Sequence, residues 1–298
     1  MNTIALLQAS PMLYLAVVFV LGLLVGSFLN VVILRLPRML HRQWQTDCLD
    51  YLTEHHPRHL KAGEPPAEAA PFNLLTPASR CPHCGHAIRA RENIPLISYL
   101  LLRGRCASCR TPIAVRYPII ELVSGLLAAL TAWQFGVTPL AAFAILLTWA
   151  LIVLTVIDYD HFYLPDNIVL PMLWLGLLLN SQGLFTDIYS ALFGAMAGYL
   201  ALWSVYQLFK LLTGKEGMGY GDFKLLAMLG AWLGWQMLPA VILLSSVVGA
   251  VVGITLILFK RHQAGKPIPF GPYLAAAGWI ALLWGPQLNQ AYLNWLQG

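Results

Sequence analysis

The stretch FAILLTWALIVLTVIDYDHFYLPD, residues 143–166, decides the fold. It is an apolar run that ends on three carboxylates, Asp158, Asp160 and Asp166. Extended back to residue 139, it is close to the length that a bilayer crossing requires. A carboxylate near lipid is costly, about 2.5–3.5 kcal/mol at a helix centre, so its presence asks for a function or a partner. A second carboxylate stands in a similar place. Asp222 closes the string GMGYGD (residues 217–222) and opens another apolar run.

Working outward, the whole chain has this character. Of its 298 residues, 58% are hydrophobic and 10% are charged, against about 25% charged in a soluble domain. Hydropathy predicts about eight spans, near 12–34, 118–135, 139–157, 167–181, 187–209, 222–235, 238–259 and 271–290. The sixth is short and reads as partly re-entrant. The last is weakened by Pro272 and Pro286. The expected fold class is therefore an all-α polytopic membrane protein with a small non-membrane domain. The first span has no basic n-region and no small-residue cleavage site, so it reads as a retained helix rather than a signal peptide.

The 18 Lys and Arg residues fall at 35–116, 210–215, Lys224 and 260–266. With eight spans, all lie on one side of the membrane or in a helix end facing it. The positive-inside rule puts that side in the cytoplasm and both termini in the periplasm. The net charge of +5 is thus an expression of topology, and does not point to a nucleic-acid partner.

Three segments follow: a first helix (1–34), a cytoplasmic domain (35–117) and a membrane core (118–298). Within the domain, residues 47–77 are polar and rich in His and Pro, and read as a loop holding one short helix at most. Beyond them lie two C-x-x-C pairs, Cys81 with Cys84 and Cys106 with Cys109. The linker between the pairs is just longer than that of the usual two-knuckle zinc site. Pro82 and Gly85 favour a tight turn that aims two thiolates at one ion. Four thiolates make a closed, structural zinc site. Two disulfides are the alternative, and a cytoplasmic location argues against them. His83 and His86 are then neighbours of a completed shell, and Cys48 is left over.

Topology places Asp158 at the cytoplasmic end of span three and Asp222 at the cytoplasmic start of span six. A bundle that brings them together makes one pKa rise, so that the pair shares a proton. One carboxylate then serves as general base on a water while the other polarises a scissile carbonyl. Gly217, Gly219 and Gly221 leave the backbone bare for close approach of a substrate strand. The plainer readings are a helix N-cap for Asp222 and interfacial polar residues for Asp158 and Asp160. Lys224 reads either as a snorkelling lysine or as a charge partner for a carboxylate. GMGYGD is not a nucleotide loop, because no strand precedes it. EHHPRH (residues 54–59) is not H-E-x-x-H, and no G-x-S-x-G occurs.

Five strings in order carry a resemblance over nearly the whole chain. They are GSFLNVVILRLP (26–37), ENIPLISYLLLRGRC (92–106) with its flanking cysteines, RYPIIEL (116–122), IDYDHFYLPD (157–166) and GMGYGDFKLLA (217–227). Together they resemble the bacterial type IV prepilin peptidases, including those that process type II secretion pseudopilins. The insert at 47–77 departs from the pattern.

The resemblance implies an inner-membrane enzyme that cleaves the short basic leader of a prepilin on the cytoplasmic face. It also implies N-methylation of the new terminus with S-adenosylmethionine. It assigns the catalytic pair to Asp158 and Asp222, with Asp160 and Asp166 beside them, while Gly219, Gly221 and Lys224 are the supporting residues that the glycine string and its charge already suggest. It matches the four cysteines to the zinc motif of the methylating members. No methyltransferase fingerprint is visible, so the residues that bind S-adenosylmethionine are not assigned. Three other readings stay open at this point: a peptidase that does not methylate, a proton-coupled transporter with intramembrane aspartates, and a secretion-machine scaffold that docks through the zinc module.

Overall fold

A computed structural model describes residues 3–55, 72–259 and 268–297. The described residues are mostly helical and contain no strand, only isolated bridges. The helices are α1 (Thr3–Ala9), α2 (Pro11–His55), α3 (Ile97–Leu101), α4 (Arg116–Phe135) and α5 (Pro139–His161). They continue with α6 (Asp166–Asn180), α7 (Ile188–Thr213), α8 (Tyr220–Leu233), α9 (Leu238–Leu258) and α10 (Gly271–Gln297).

Among the described residues, five helical segments are long and apolar enough to cross a membrane: Pro11–His55, Arg116–Phe135, Pro139–His161, Ile188–Thr213 and Trp235–Leu256. The other expected spans are helical too, but differ in kind. α6 has 15 residues and α8 has 14. At 1.5 Å per residue, α8 is about 21 Å long, short of a bilayer's apolar thickness. α10 has 27 residues, with a non-helical Trp284 just before Pro286.

Two expectations about the first helix need correction. α2 does not end near residue 34 but runs on to His55, with Pro37 inside it. Part of the stretch read as a loop, residues 47–55, is therefore helical. The physical reason is that residues 38–55 contain neither glycine nor proline, so nothing in them stops a helix once α2 has formed. The rest of that insert, at 56–71, lies outside the described residues.

The chain divides into two compact units: Ala16–Ala129, and Met1–Leu15 with Leu130–Gly298. In the first, α2 and α4 meet through small residues. A Cβ on Gly22 would stand 2.7 Å from Gly125 Cα, and one on Gly26 would stand 2.8 Å from Glu121 Cα. Apolar side chains gain little from packing on each other in lipid, so close backbone approach at glycine is what joins such helices.

The second unit is built around α8. Phe223, Leu225, Leu226, Met228, Leu229 and Trp232 are fully buried. α7 closes on α8 where Gly194 faces Gly230, and a Cβ on either would collide with the other's backbone. Gly176 of α6 lies under the Trp232 ring, and Gly278 of α10 lies against Leu229. Trp232 Nε1 donates to the Met172 carbonyl at 2.7 Å. Asn180 closes the far end of α8. It donates to the carbonyls of Ala231 and Trp232 at 2.8 and 3.1 Å, and accepts from the amides of Phe185 and Thr186. Two carbonyls that the last turn of α8 leaves over are thereby satisfied. α8 is short because protein surrounds it.

Candidate active site and cysteine centre

Asp158 lies in the last turn of α5, where Phe162 adopts the left-handed conformation and its amide bonds back to the Asp158 carbonyl at 2.9 Å. Asp222 lies in the first turn of α8. The N-cap of α8 is Gly219, not Asp222, and the Asp222 amide bonds to the Gly219 carbonyl at 3.2 Å. The Asp222 carboxylate reaches back to the Gly219 backbone, so it also engages the start of its own helix.

Both aspartates are buried, at 6% and 7% exposure, and both belong to the α8 unit, where Lys224, two residues past Asp222, binds Asp166 of the Asp158 motif. Two carboxyls from residues 64 positions apart share one site in the α8 unit. Asp158 Oδ2 also accepts the amide of Gly271, at the start of α10, at 3.0 Å. That third segment, PFGPY at 269–273, was not singled out from sequence. Its signal was present, since Gly-Pro at a helix start marks a place where a backbone amide is left bare.

The supporting residues sort differently from expectation. Lys224 is a charge partner, as one of its two readings held, but its partner is Asp166 in α6, at 2.9 and 2.7 Å. Asp160 is half-buried and engaged in interactions of its own. The three glycines do not all leave bare backbone. A Cβ on Gly217 would meet the Phe209 ring at 2.8 Å, and one on Gly221 would meet Leu164 Cβ at 3.0 Å. Only at Gly219 is there open space, with Asp222 Oδ2 at 3.9 Å as the nearest neighbour. None of the three has positive φ. Gly217 and Gly219 are both exposed and Gly221 is half-buried, but Gly217 and Gly221 pack against Phe209 and Leu164, and Gly219 alone of the three has open space where a side chain would stand.

In the other unit the four cysteines converge, with every sulfur within 4.8 Å of the rest. Cys81 Sγ is 3.8 Å from Cys109 Sγ, and Cys84 Sγ is 4.0 Å from Cys106 Sγ. Four thiolates placed tetrahedrally 2.3 Å from one zinc lie about 3.8 Å apart, so the residues present fit that ion. A disulfide, at about 2.05 Å between sulfurs, does not fit these separations.

The two cysteine turns are built alike. The Gly85 amide bonds to the Cys81 carbonyl at 3.0 Å, and the Arg110 amide bonds to the Cys106 carbonyl at 3.1 Å. Gly85 has φ of 70° and Arg110 of 61°. Short bridges, Arg80 with Ala87 and Arg105 with Pro112, close each turn. Cys109 Sγ also donates to the Thr111 hydroxyl at 3.2 Å. His86 Nε2 pairs with Glu92 at 3.0 Å, and the four sulfurs already supply a complete tetrahedral ligand set without it. Glu92 also accepts the Arg89 amide at 3.1 Å, and these two contacts, the amide first, hold its carboxyl below the usual range.

A further buried carboxylate joins this segment to the helices of its own unit. Glu121 in α4, 8% exposed, accepts the amide of Leu96 at 3.0 Å and bonds to Ser27. Leu96 sits at φ of 59°, a conformation that a branched residue keeps only when its surroundings enforce it. Asn30 of α2 donates to the Tyr117 carbonyl at 3.2 Å nearby. GSFLN, ENIPL and RYPIIEL, separate in sequence, meet at this point.

Five membrane-length helices among the described residues, two buried carboxylates and four convergent cysteines define a helical membrane protein with ionisable groups buried beside its spans. Comparison with known proteins is consistent with that class. Residues 20–135 match the bacterial peptidase A24 N-terminal domain, and residues 145–254 match the type IV leader peptidase family. The chain is 57% identical over 296 residues to a prepilin leader peptidase/N-methyltransferase of Stutzerimonas stutzeri, covering 99% of both chains. It is 55% identical over 288 residues to one of Pseudomonas aeruginosa, covering 97% of this chain and 96% of that one. It is 57% identical over 284 residues to one of Aeromonas hydrophila, covering 95% of both. No solved structure matches. The chain belongs to the type IV leader peptidase family.

Proposed function

We propose that this protein removes the leader of type IV prepilins and type II secretion pseudopilins and methylates the new N-terminal amine. One observation carries the peptidase reading: Asp158 and Asp222, from distant parts of the chain, are buried together in one unit. In hydrolysis, one carboxylate takes a proton from water, whose oxygen attacks the scissile carbonyl. The other carboxyl, protonated, donates to the carbonyl oxygen as charge develops there. Collapse of the tetrahedral adduct breaks the C–N bond, and a proton passes from the pair to the leaving amine. Gly219 offers open backbone beside Asp222 against which an extended substrate segment lies. Asp160 and Gly221 shape the surroundings, the one as a nearby acidic group that favours a basic leader, the other by letting α8 seat against Leu164. Lys224 acts through Asp166 to join the two aspartate motifs.

The topology in this reading is eight spans, with α6, α8 and α10 completing the five membrane-length segments. Both termini are periplasmic and the site faces the cytoplasm, on the distribution of Lys and Arg. The membrane is the bacterial inner membrane. The segments are a first membrane-crossing segment (1–34), a domain carrying the cysteines (35–117), into which α2 continues, and the peptidase core (118–298). The substrate's apolar helix lies in the bilayer and brings its scissile bond to the interface.

Cys81, Cys84, Cys106 and Cys109 hold one zinc ion. The ion supplies a closed cross-link that stabilises a small domain with little core of its own. S-adenosylmethionine supplies the methyl group, and the acceptor must be the neutral amine, so a proton leaves it before transfer. Methylation is supported by the names of the relatives and by no side chain identified in the site.

The test is incubation of purified protein with a synthetic prepilin peptide, with and without S-adenosylmethionine, read by mass spectrometry. Leader loss in both, with one added methyl group only when the donor is present, is expected. An uncleaved peptide would refute the peptidase reading. A cleaved peptide that is never methylated would leave a peptidase alone.

A further inference from the structure

The first turn of α10 has an unusual hydrogen-bond arrangement. Pro272 has no N–H. The amides of Tyr273 and Leu274 are both taken by the Phe270 carbonyl, at 3.1 and 3.2 Å. The amide left over in that turn is that of Gly271, and it points at Asp158 Oδ2, 3.0 Å away in a buried setting and 113 positions distant in sequence. Gly271 needs no special φ. Its lack of a side chain has another cause: a Cβ there would stand 2.6 Å from the same Oδ2 and 3.0 Å from the carboxyl carbon. Two independent features of one residue, a directed donor and a missing methyl, thus act on one oxygen of one aspartate.

We infer that Gly271 is a positioning residue of the peptidase site, whose N–H sets the rotation of the Asp158 carboxylate and whose bare α-carbon lets the carboxylate take that place. The inference rests on the reading of Asp158 as catalytic. The physical need is plain. Asp158 lies in the last turn of α5, where helix carbonyls disfavour an anion, and an amide from the start of a 27-residue helix offsets that field. The contact also orients one oxygen and leaves the other for water or for Asp222. Gly271 lies past the residues that match the peptidase family model, which end at 254, so the site is incomplete without α10.

Replacing the Gly271 amide by an ester, with glycolic acid in place of glycine, deletes the N–H and adds no bulk. Kcat for leader cleavage should fall about tenfold to a hundredfold, with KM for the prepilin peptide little changed. Methylation of pre-cleaved peptide should stay at the parent level, which misfolding would not allow. Gly271→Ala should lose more in kcat, since it displaces the carboxylate as well. An ester enzyme with unchanged kcat would overturn the inference, as would equal losses of cleavage and methylation, which would mark Gly271 as merely structural. Asp158→Asn in the same assay separates the two levels. If it is inactive while the ester enzyme is fully active, Gly271 alone is misassigned. If it cleaves normally, the catalytic reading of Asp158 fails first.

Discussion

Lys224 of α8 reaches both carboxylate oxygens of Asp166 in α6, at 2.9 and 2.7 Å. Asp166 closes IDYDHFYLPD and Lys224 stands two residues past Asp222, so the pair ties the two aspartate motifs together. Both side chains are partly exposed, at 32% and 47%, and such a pair contributes no more than about 1 kcal/mol. Lys224→Met and Asp166→Asn should therefore each slow leader cleavage by at most about fivefold. The double variant should be no slower than either single one. Losses as large as those from changing Asp158 or Asp222 would place the pair inside the chemistry.

The cysteine centre gives a metal prediction. Freshly purified, reduced protein should contain one zinc per chain, and Cys81→Ser or Cys106→Ser should lower metal content and destabilise residues 80–112 together. Arg110→Gly should keep the metal and slightly raise stability, because it relieves a side chain held at φ of 61°. Protein without zinc, or Arg110→Gly that loses it, would contradict the geometry.

Loss of the cysteine centre should damage methylation at least as much as cleavage, since the carboxylate pair belongs to the other unit. A Cys81→Ser, Cys84→Ser protein assayed separately for leader cleavage and for methylation of pre-cleaved pilin tests this. Intact methylation beside lost cleavage would refute it.

Glu92 predicts a pH dependence. The Arg89 amide and His86 hold its carboxyl below the ordinary value, so its contribution to stability is present above that value and is lost as pH falls through the depressed one. Glu92→Gln should thus lower the stability of the cysteine domain at neutral pH. The gap from the parent protein should close on acidification below about pH 4. Thermal melts of parent and variant across pH, followed by zinc release, show whether the gap closes.

Asn180 predicts a stability loss in the α8 unit. Asn180→Ala strands two carbonyls and two amides, at a cost on the order of 1–3 kcal/mol for each buried group left unpaired. Thermal unfolding in detergent should show a clear fall. An unchanged midpoint would mean that water replaces the side chain.

Much of this was legible in the sequence, and the misses have causes. Apolar runs revealed the long helices because length and hydropathy are local properties. α8 was harder: its burial depends on Gly194, Gly198, Gly176 and Gly278 in three other helices, which no window along residues 220–233 contains. The four cysteines were readable from spacing alone, since two short turns already aim each pair. Asp158 and Asp222 were singled out by the cost of their surroundings, whereas Gly271 was not, because its role lies in an amide and a missing methyl. The end of α2 is misplaced because hydropathy ends the span near residue 34 and the polar composition of residues 47–55 reads as loop, although polarity does not stop a helix and Gly or Pro does.

The pairing of Asp158 with Asp222 is the central claim, and single-turnover cleavage of a prepilin peptide by Asp158→Asn, Asp222→Asn and the double variant tests it most directly. Groups that act as one unit are not additive. Each single variant should fall by at least about a thousandfold, the double variant should fall no further, and all three should remain folded with parent zinc content. A single variant that cleaves at the parent rate would remove that aspartate from the mechanism, and losses that multiply in the double variant would show two residues acting independently.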